Sequence, residues 1–388
     1  MQKRDFWFVL KSFIVWRIAI TLIATFAIKY IPLSGINFFG GKYINYITNP
    51  LFWGWANFDG EHYLSIAMYG YKDLQLAFFP AYPFLMNIVS RLIGSDTTSY
   101  LWSGIILSNI LLVGSLILFW KIIRLDYSKE IAKIATILLL VFPTSFYFGS
   151  VYTESLFLFT SLLTYYLYRK NKYLLSGLVG ILMTLTRLYG IFVIVMILFD
   201  LLNKKTSIAK IVKEKIYLVG ISIFGITAYM WFCYKSIGDL LAFYSLQTNV
   251  GEHRSLDLIM LPQVFYRYVA KIIPNLTWSY PPVVFTTLLE LGIALLFLIV
   301  ILSSYTSLRL KKLKWDYWVY ILFGYLTPTL TGSFSSLPRY VLVLFPAFIF
   351  MATKLEKANT FLRLGIYLSL AIIAIIAQAM FFRGYFVS

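Results

Sequence analysis

Apolar runs long enough to cross a bilayer recur from one end of this 388-residue chain to the other. Each demands a helix of about 20 residues, because roughly 30 Å of hydrocarbon must be crossed with every backbone N–H and C=O bonded internally. Charged residues make up 13% of the chain and hydrophobic ones 60%. A soluble domain carries about 25% charge, so too little polar material is present to cover a water-facing surface. The chain therefore reads as an all-α polytopic membrane protein, one integral domain over residues 1–388 with no detachable soluble part. The single cysteine, Cys233, excludes an intrachain disulfide and any cysteine-rich metal site. The first apolar run lacks a small-residue cleavage site, and no cleaved signal is expected.

A formal net charge of +18 would suit a nucleic-acid partner, but its distribution argues against one. Most of the basic residues fall in short clusters between apolar segments: Lys3/Arg4/Lys11, Lys121/Arg124/Lys129/Lys133, Arg169/Lys170/Lys172, Lys204/Lys205/Lys210/Lys213/Lys215, Arg309/Lys311/Lys312/Lys314 and Lys354/Lys357/Arg363. Such clusters mark cytoplasmic loops, since positive charge resists translocation. With the clusters inside, spans are expected near 12–31, 101–121, 132–149, 152–168, 173–189, 190–203, 216–235, 283–304, 316–333, 338–353 and 362–382, about 11 transmembrane helices. Phe78–Gly94, "FFPAYPFLMNIVSRLIG", is read as an interfacial helix: Phe84, Leu85, Ile88 and Leu92 share one face, with Asn87, Ser90 and Arg91 opposite. Two long outer loops follow from this scheme, about 32–100 and 236–282. They hold both histidines, His62 and His253, and the acids Asp59, Glu61, Asp73, Asp96, Asp239, Glu252 and Asp257. Chemistry is expected on that outer face. No internal repeat supports a two-fold transporter.

Asp59 stands where the aromatic run "LFWGWA" gives way to a helix expected from about Gly60. A carboxylate there can accept the proton of an attacking hydroxyl; the plainer reading is an N-cap. Glu61 and His62 lack metal-ligand spacing. His62 is expected to bond a carboxylate or phosphate, and Glu61 to face water. Arginines within spans are costly and point to function. Arg187 in "MTLTRLYG" and Arg339 in "SSLPRYVLVLFP" both fall near outer span ends, where guanidinium forks suit a phosphate; the alternative is snorkelling to headgroups. Arg17 is assigned to snorkelling inward. Glu154, beside Tyr152 and Thr153, suits ligand contact or an arginine partner, and Glu290 reads as a buried pairing partner. Glu252, His253 and Arg254 form a small polar cluster in the second loop, read as a solvated surface.

"FDGEHYLSIAMYGY" followed by "AFFPAYPFL" resembles the first luminal loop of the glycosylphosphatidylinositol mannosyltransferase II (PIG-V-like) family, within the GT-C superfamily of multi-span glycosyltransferases. The family pattern, roughly W-D-x-x-H-Y-x-x-I-A-x-x-G-Y and then F-F-P-x-Y-P, has Trp where this chain has Phe58. "YTESLF", "TRLYGI" and "LPRYVLVLFP" extend the resemblance, in order, over about residues 50–346. It implies a GT-C-like fold and an enzyme that takes a sugar, typically mannose, from a polyprenyl or dolichyl phosphate donor. The acceptor would be a lipid-linked or glycan hydroxyl on the outer or luminal face, and the anomeric centre would invert. The first-loop acid, Asp59, would be the general base. Tyr152, Glu154, Arg187, Arg339, His62 and Glu61 would surround the substrate and its phosphate. No cofactor, nucleotide or obligatory metal is implied. The site would lie in the cell membrane of a prokaryote or the endoplasmic reticulum of a eukaryote. A transporter or flippase of polyprenyl-linked glycans is the competing reading.

Overall fold

The computed structural model describes residues 1–35, 38–204, 208–247, 255, 257–309 and 314–387, and every regular element among them is helical. Among the described residues, four helices are long and apolar enough to cross a membrane: Lys3–Tyr30, Thr97–Asp126, Pro281–Thr306 and Thr360–Phe382. The expectation of about 11 spans is therefore corrected. The segments expected at 132–149, 152–168, 173–189, 190–203, 316–333 and 338–353 hold shorter helices. These are Lys129–Val141, Glu154–Arg169, Tyr173–Thr184, Gly190–Asn203, Trp315–Thr329 and Phe345–Leu355. At 1.5 Å per residue, their 11 to 16 residues reach roughly 17–24 Å, short of the hydrocarbon thickness.

The breaks have local causes. Pro143 biases Phe142 out of the helical region and stops the Lys129 helix. Pro346 sits in the first turn of its helix, where its missing N–H costs nothing, and so marks a start inside an apolar run. Hydropathy counts apolar residues whether or not the chain turns among them. The segment expected at 216–235 lies in the 30-residue helix Ile208–Ile237.

Ala81–Ile93, at 13 residues, is too short to cross, and exposes Phe84, Ile88 and Leu92 while burying Tyr82, Met86 and Ser90. The first and last helices pack on each other, Thr97–Asp126 packs on Glu154–Arg169, and Gly190–Asn203 on Trp315–Thr329. Basic clusters gather at the Arg169 end of this bundle. Arg169 grips Asp126 through Nη1 at 2.8 Å and Nη2 at 3.0 Å, Lys314 reaches the same carboxylate at 2.9 Å, and Lys129 pairs with Asp5 at 2.6 Å. Glu154 begins the helix that Arg169 ends, so the acids and arginines described next occupy the opposite end.

Candidate active site

Four turns and helix ends converge there. Asp59 is the first residue of the helix Asp59–Tyr69, which Gly70 ends at φ 80, a conformation that costs glycine no Cβ clash. Phe58, not Asp59, occupies the N-cap position. The loop before Asp59 is tied down by the Val151 N–H to the Trp55 carbonyl at 2.9 Å, and by the Tyr152 hydroxyl to the Asn57 carbonyl at 2.7 Å. Arg339 lies in the short helix Leu337–Val341, whose Pro338 carbonyl accepts the Thr144 hydroxyl at 2.8 Å. Arg187 lies in the turn between Tyr173–Thr184 and Gly190–Asn203.

These anchors bring together side chains far apart in sequence. Arg339 Nη1 donates to Asp59 Oδ2 at 2.6 Å, and its Nε lies 3.2 Å from Glu154 Oε1. Arg187 Nη2 donates to the same Glu154 oxygen, and its Nε to the Thr153 hydroxyl at 2.7 Å. The result is an alternating chain of charge, Asp59–Arg339–Glu154–Arg187, with two carboxylates balancing two guanidiniums. Aromatic faces wall it in. The Arg339 guanidinium lies 5.4 Å from the Tyr152 ring, 5.6 Å from Tyr147 and 5.7 Å from Tyr340, which stacks on Tyr189. Ring faces of this kind favour a cation. The Glu154 side chain is wholly buried and the Arg187 and Arg339 side chains are 9% and 11% exposed; Asp59, at 24%, is the member most open to a substrate. Glu154 Oε2 and Arg187 Nη1 are buried without a hydrogen-bond partner among the described residues. Orphaned polar atoms of this kind are uncommon in a folded protein and mark unused bonding capacity.

His62 lies one turn beyond Asp59 and stacks on Phe78 at 4.7 Å. Burial holds its pKa below the ordinary histidine range against the opposing pull of Asp59, so its ring is neutral at pH 7. Glu61, expected to face water, instead accepts the Gly41 N–H at 2.6 Å and ties its helix to the preceding loop. Burial pushes its pKa up to about 7 from 4.5, more than the Gly41 and Lys42 N–H groups lower it. A raised carboxyl pKa means the folded state keeps a proton that the unfolded state has lost. Stability therefore falls as pH rises from about 4.5 to about 7. Glu61→Gln is expected to flatten that part of the thermal-midpoint-against-pH curve, and a curve of unchanged slope would contradict the assignment.

One other expectation changes. Arg17 does not reach inward: its Nη1 donates to the Gly149 carbonyl at 3.2 Å and its guanidinium lies 4.2 Å from the Trp55 ring, beneath the Asp59 loop. Glu290 is buried, as expected of a pairing partner, and accepts the Tyr268 hydroxyl at 2.6 Å. Glu252, His253 and Arg254 lie outside the described residues. Sequence reasoning did not single out Asn57, whose side chain is fully buried beside the Asp59 turn, or Tyr147 against Arg339. An uncharged amide in a loop gives no signal to find it by.

A family model described as mannosyltransferase (PIG-V) matches residues 9–246, more than half of the chain. The chain belongs to this family. It is one of the GT-C superfamily, and the match takes in Asp59, His62, Glu154 and Arg187, while Arg339 lies beyond it. No curated protein matches the sequence. Crystal structures of the Archaeoglobus fulgidus oligosaccharyltransferase are similar at 12–13% identity. The form tethered to an acceptor peptide matches over 97% of this chain and 55% of its own, with a TM-score of 0.46. The apo form matches over 97% and 56%, with a TM-score of 0.44. The chain thus spans about half the length of those structures.

Proposed function

We propose that this chain is a membrane glycosyltransferase that moves a sugar, mannose by family, from a polyprenyl phosphate donor to the hydroxyl of a lipid-linked or glycan acceptor. The observation that supports this reading most is the alternating Asp59–Arg339–Glu154–Arg187 chain, which sets an accessible carboxylate 2.6 Å from a buried guanidinium. In the reaction, the acceptor oxygen forms a bond to the sugar's anomeric carbon as the bond from that carbon to the phosphate oxygen breaks. The hydroxyl proton passes to Asp59, the electron pair leaves with the polyprenyl phosphate, and the configuration inverts.

Departure of the phosphate builds negative charge on its oxygens, and fixed cations in a site of low dielectric stabilise that charge. Arg187 Nη1 has donor capacity that no described residue uses. Arg339, already shared between two carboxylates, can turn part of its five-donor fork to the phosphate while Glu154 keeps hold of the rest. His62, neutral, can donate a hydrogen bond without adding charge. The reaction is placed on the outer or luminal face, away from the basic end of the bundle.

Arg339→Gln and Arg187→Gln test the phosphate assignment. Each is expected to raise the donor KM about 10–100-fold, the worth of a charge-assisted hydrogen bond. Labelled polyprenyl-phosphate mannose supplied to membranes provides the readout. A donor KM equal to wild type in both variants would remove the arginines from this role.

A further inference from the structure

The backbone next to Asp59 is strained, and the residues that hold it come from the other end of the sequence. Asn57, Phe58, Asp59 and Gly60 form a turn closed by the Gly60 N–H to the Asn57 carbonyl at 3.2 Å. Its second residue, Phe58, stands at φ 56, ψ −121. That is the corner a type II′ turn reserves for glycine, because a Cβ crowds the backbone there. A bulky side chain in such a conformation persists only where its surroundings over-determine it, and such residues gather at functional sites.

The surroundings are the last turn of the helix Thr360–Phe382 and the residues after it. The Phe58 ring lies 5.7 Å from Phe381 and, edge-on, 5.7 Å from Phe386. Asn57 Nδ2 donates to the Phe381 and Phe382 carbonyls at 3.0 and 3.4 Å. Gly384, at φ 76, turns the chain back; a Cβ there would lie 2.5 Å from the Phe39 ring. Beyond it, the Thr286 hydroxyl donates to the Phe386 carbonyl at 3.0 Å. Tyr147, whose ring faces Arg339, donates to the Val387 carbonyl. The same short segment thus touches the turn that leads into Asp59 and the tyrosine whose ring faces Arg339.

We propose that residues 381–387 are a positioning element of the active site, clamping Phe58 in its strained conformation and so fixing Asp59 against Arg339. The proposal rests on the assignment of Asp59 as base. If the contacts were packing alone, the conformation of Phe58 would not need them. Glycine separates the two cases, because it adopts φ 56, ψ −121 without a clamp.

Phe386→Leu, Phe58→Gly and the double variant are compared with wild type and with Asp59→Asn. Transfer from labelled polyprenyl-phosphate mannose in membranes and the thermal midpoint of the extracted protein are both read. Phe386→Leu is expected to lower transfer about 10–100-fold at an unchanged donor KM, since small displacements of a reacting group cost that much. Adding Phe58→Gly should recover most of the loss. It should also raise the midpoint of Phe386→Leu by about 3 °C more than it raises that of wild type. Should Phe386→Leu aggregate, Thr286→Val, which removes one hydrogen bond to the clamp, takes its place. Additive midpoints, or a double variant no more active than Phe386→Leu, would overturn the proposal. Full transfer by Asp59→Asn would instead remove the base assignment, and the midpoint comparison would still judge the clamp.

Discussion

Asp59→Asn is expected to reduce sugar transfer about 10²–10⁴-fold, the usual worth of a positioned general base. Asparagine keeps the size of the side chain and an oxygen that can accept from Arg339, so the loss should fall on turnover. The protein should still reach the membrane and unfold near the wild-type temperature, because Arg339 retains Glu154 as a counter-ion. Measuring transfer beside the thermal midpoint separates the two effects. A variant that transfers at the wild-type rate would place the base elsewhere. A variant that fails to fold would show Asp59 to be chiefly a structural partner of Arg339.

The second large effect is expected at Glu154. Its carboxylate is fully buried and is shared by two guanidiniums that are themselves nearly buried. Replacing it by alanine leaves Arg187 without a carboxylate and Arg339 with Asp59 alone. Removing one member of a buried ion pair typically costs about 3–5 kcal/mol, because the remaining charge is stranded in low dielectric. Glu154→Ala should therefore lower the thermal midpoint far more than Asp59→Asn does. A Glu154→Leu, Arg187→Met double variant should regain part of the loss, since removing both charges also removes the stranded one. Losses that simply add would argue that the two side chains do not depend on each other.

Glu154 also marks how far the sequence could be read. Asp59, Arg187 and Arg339 each stood out because charge is costly in apolar surroundings, and that signal belongs to single residues. Their pairing did not show, since 280 positions separate Asp59 from Arg339 and nothing in the chain records which turns meet. Glu154 was open to ligand contact or an arginine partner, but nothing in the chain said which arginine, or that two would enclose it. Glu61 was read by polarity as a water-facing group, yet the backbone N–H groups of Gly41 and Lys42 draw it inward. The all-helical class followed from hydrophobicity, whereas the span count did not, because apolar runs continue through turns such as those at Pro143 and Pro346. The strain at Phe58 had no sequence mark at all. A glycine there would have announced the turn, while an aromatic residue conceals it.

Cleavage of the bond between sugar and lipid phosphate can be measured directly. The purified protein is placed in vesicles of native membrane lipid with polyprenyl phosphate carrying labelled mannose, or with labelled nucleotide-linked mannose. Bond cleavage and the side of the bilayer holding the label are both scored. Label is expected to leave the polyprenyl phosphate and join an acceptor with wild type but not with Asp59→Asn, and the nucleotide-linked sugar is expected to give no product. Intact labelled donor moving across the bilayer, or transfer from the nucleotide-linked sugar alone, would contradict the proposed function.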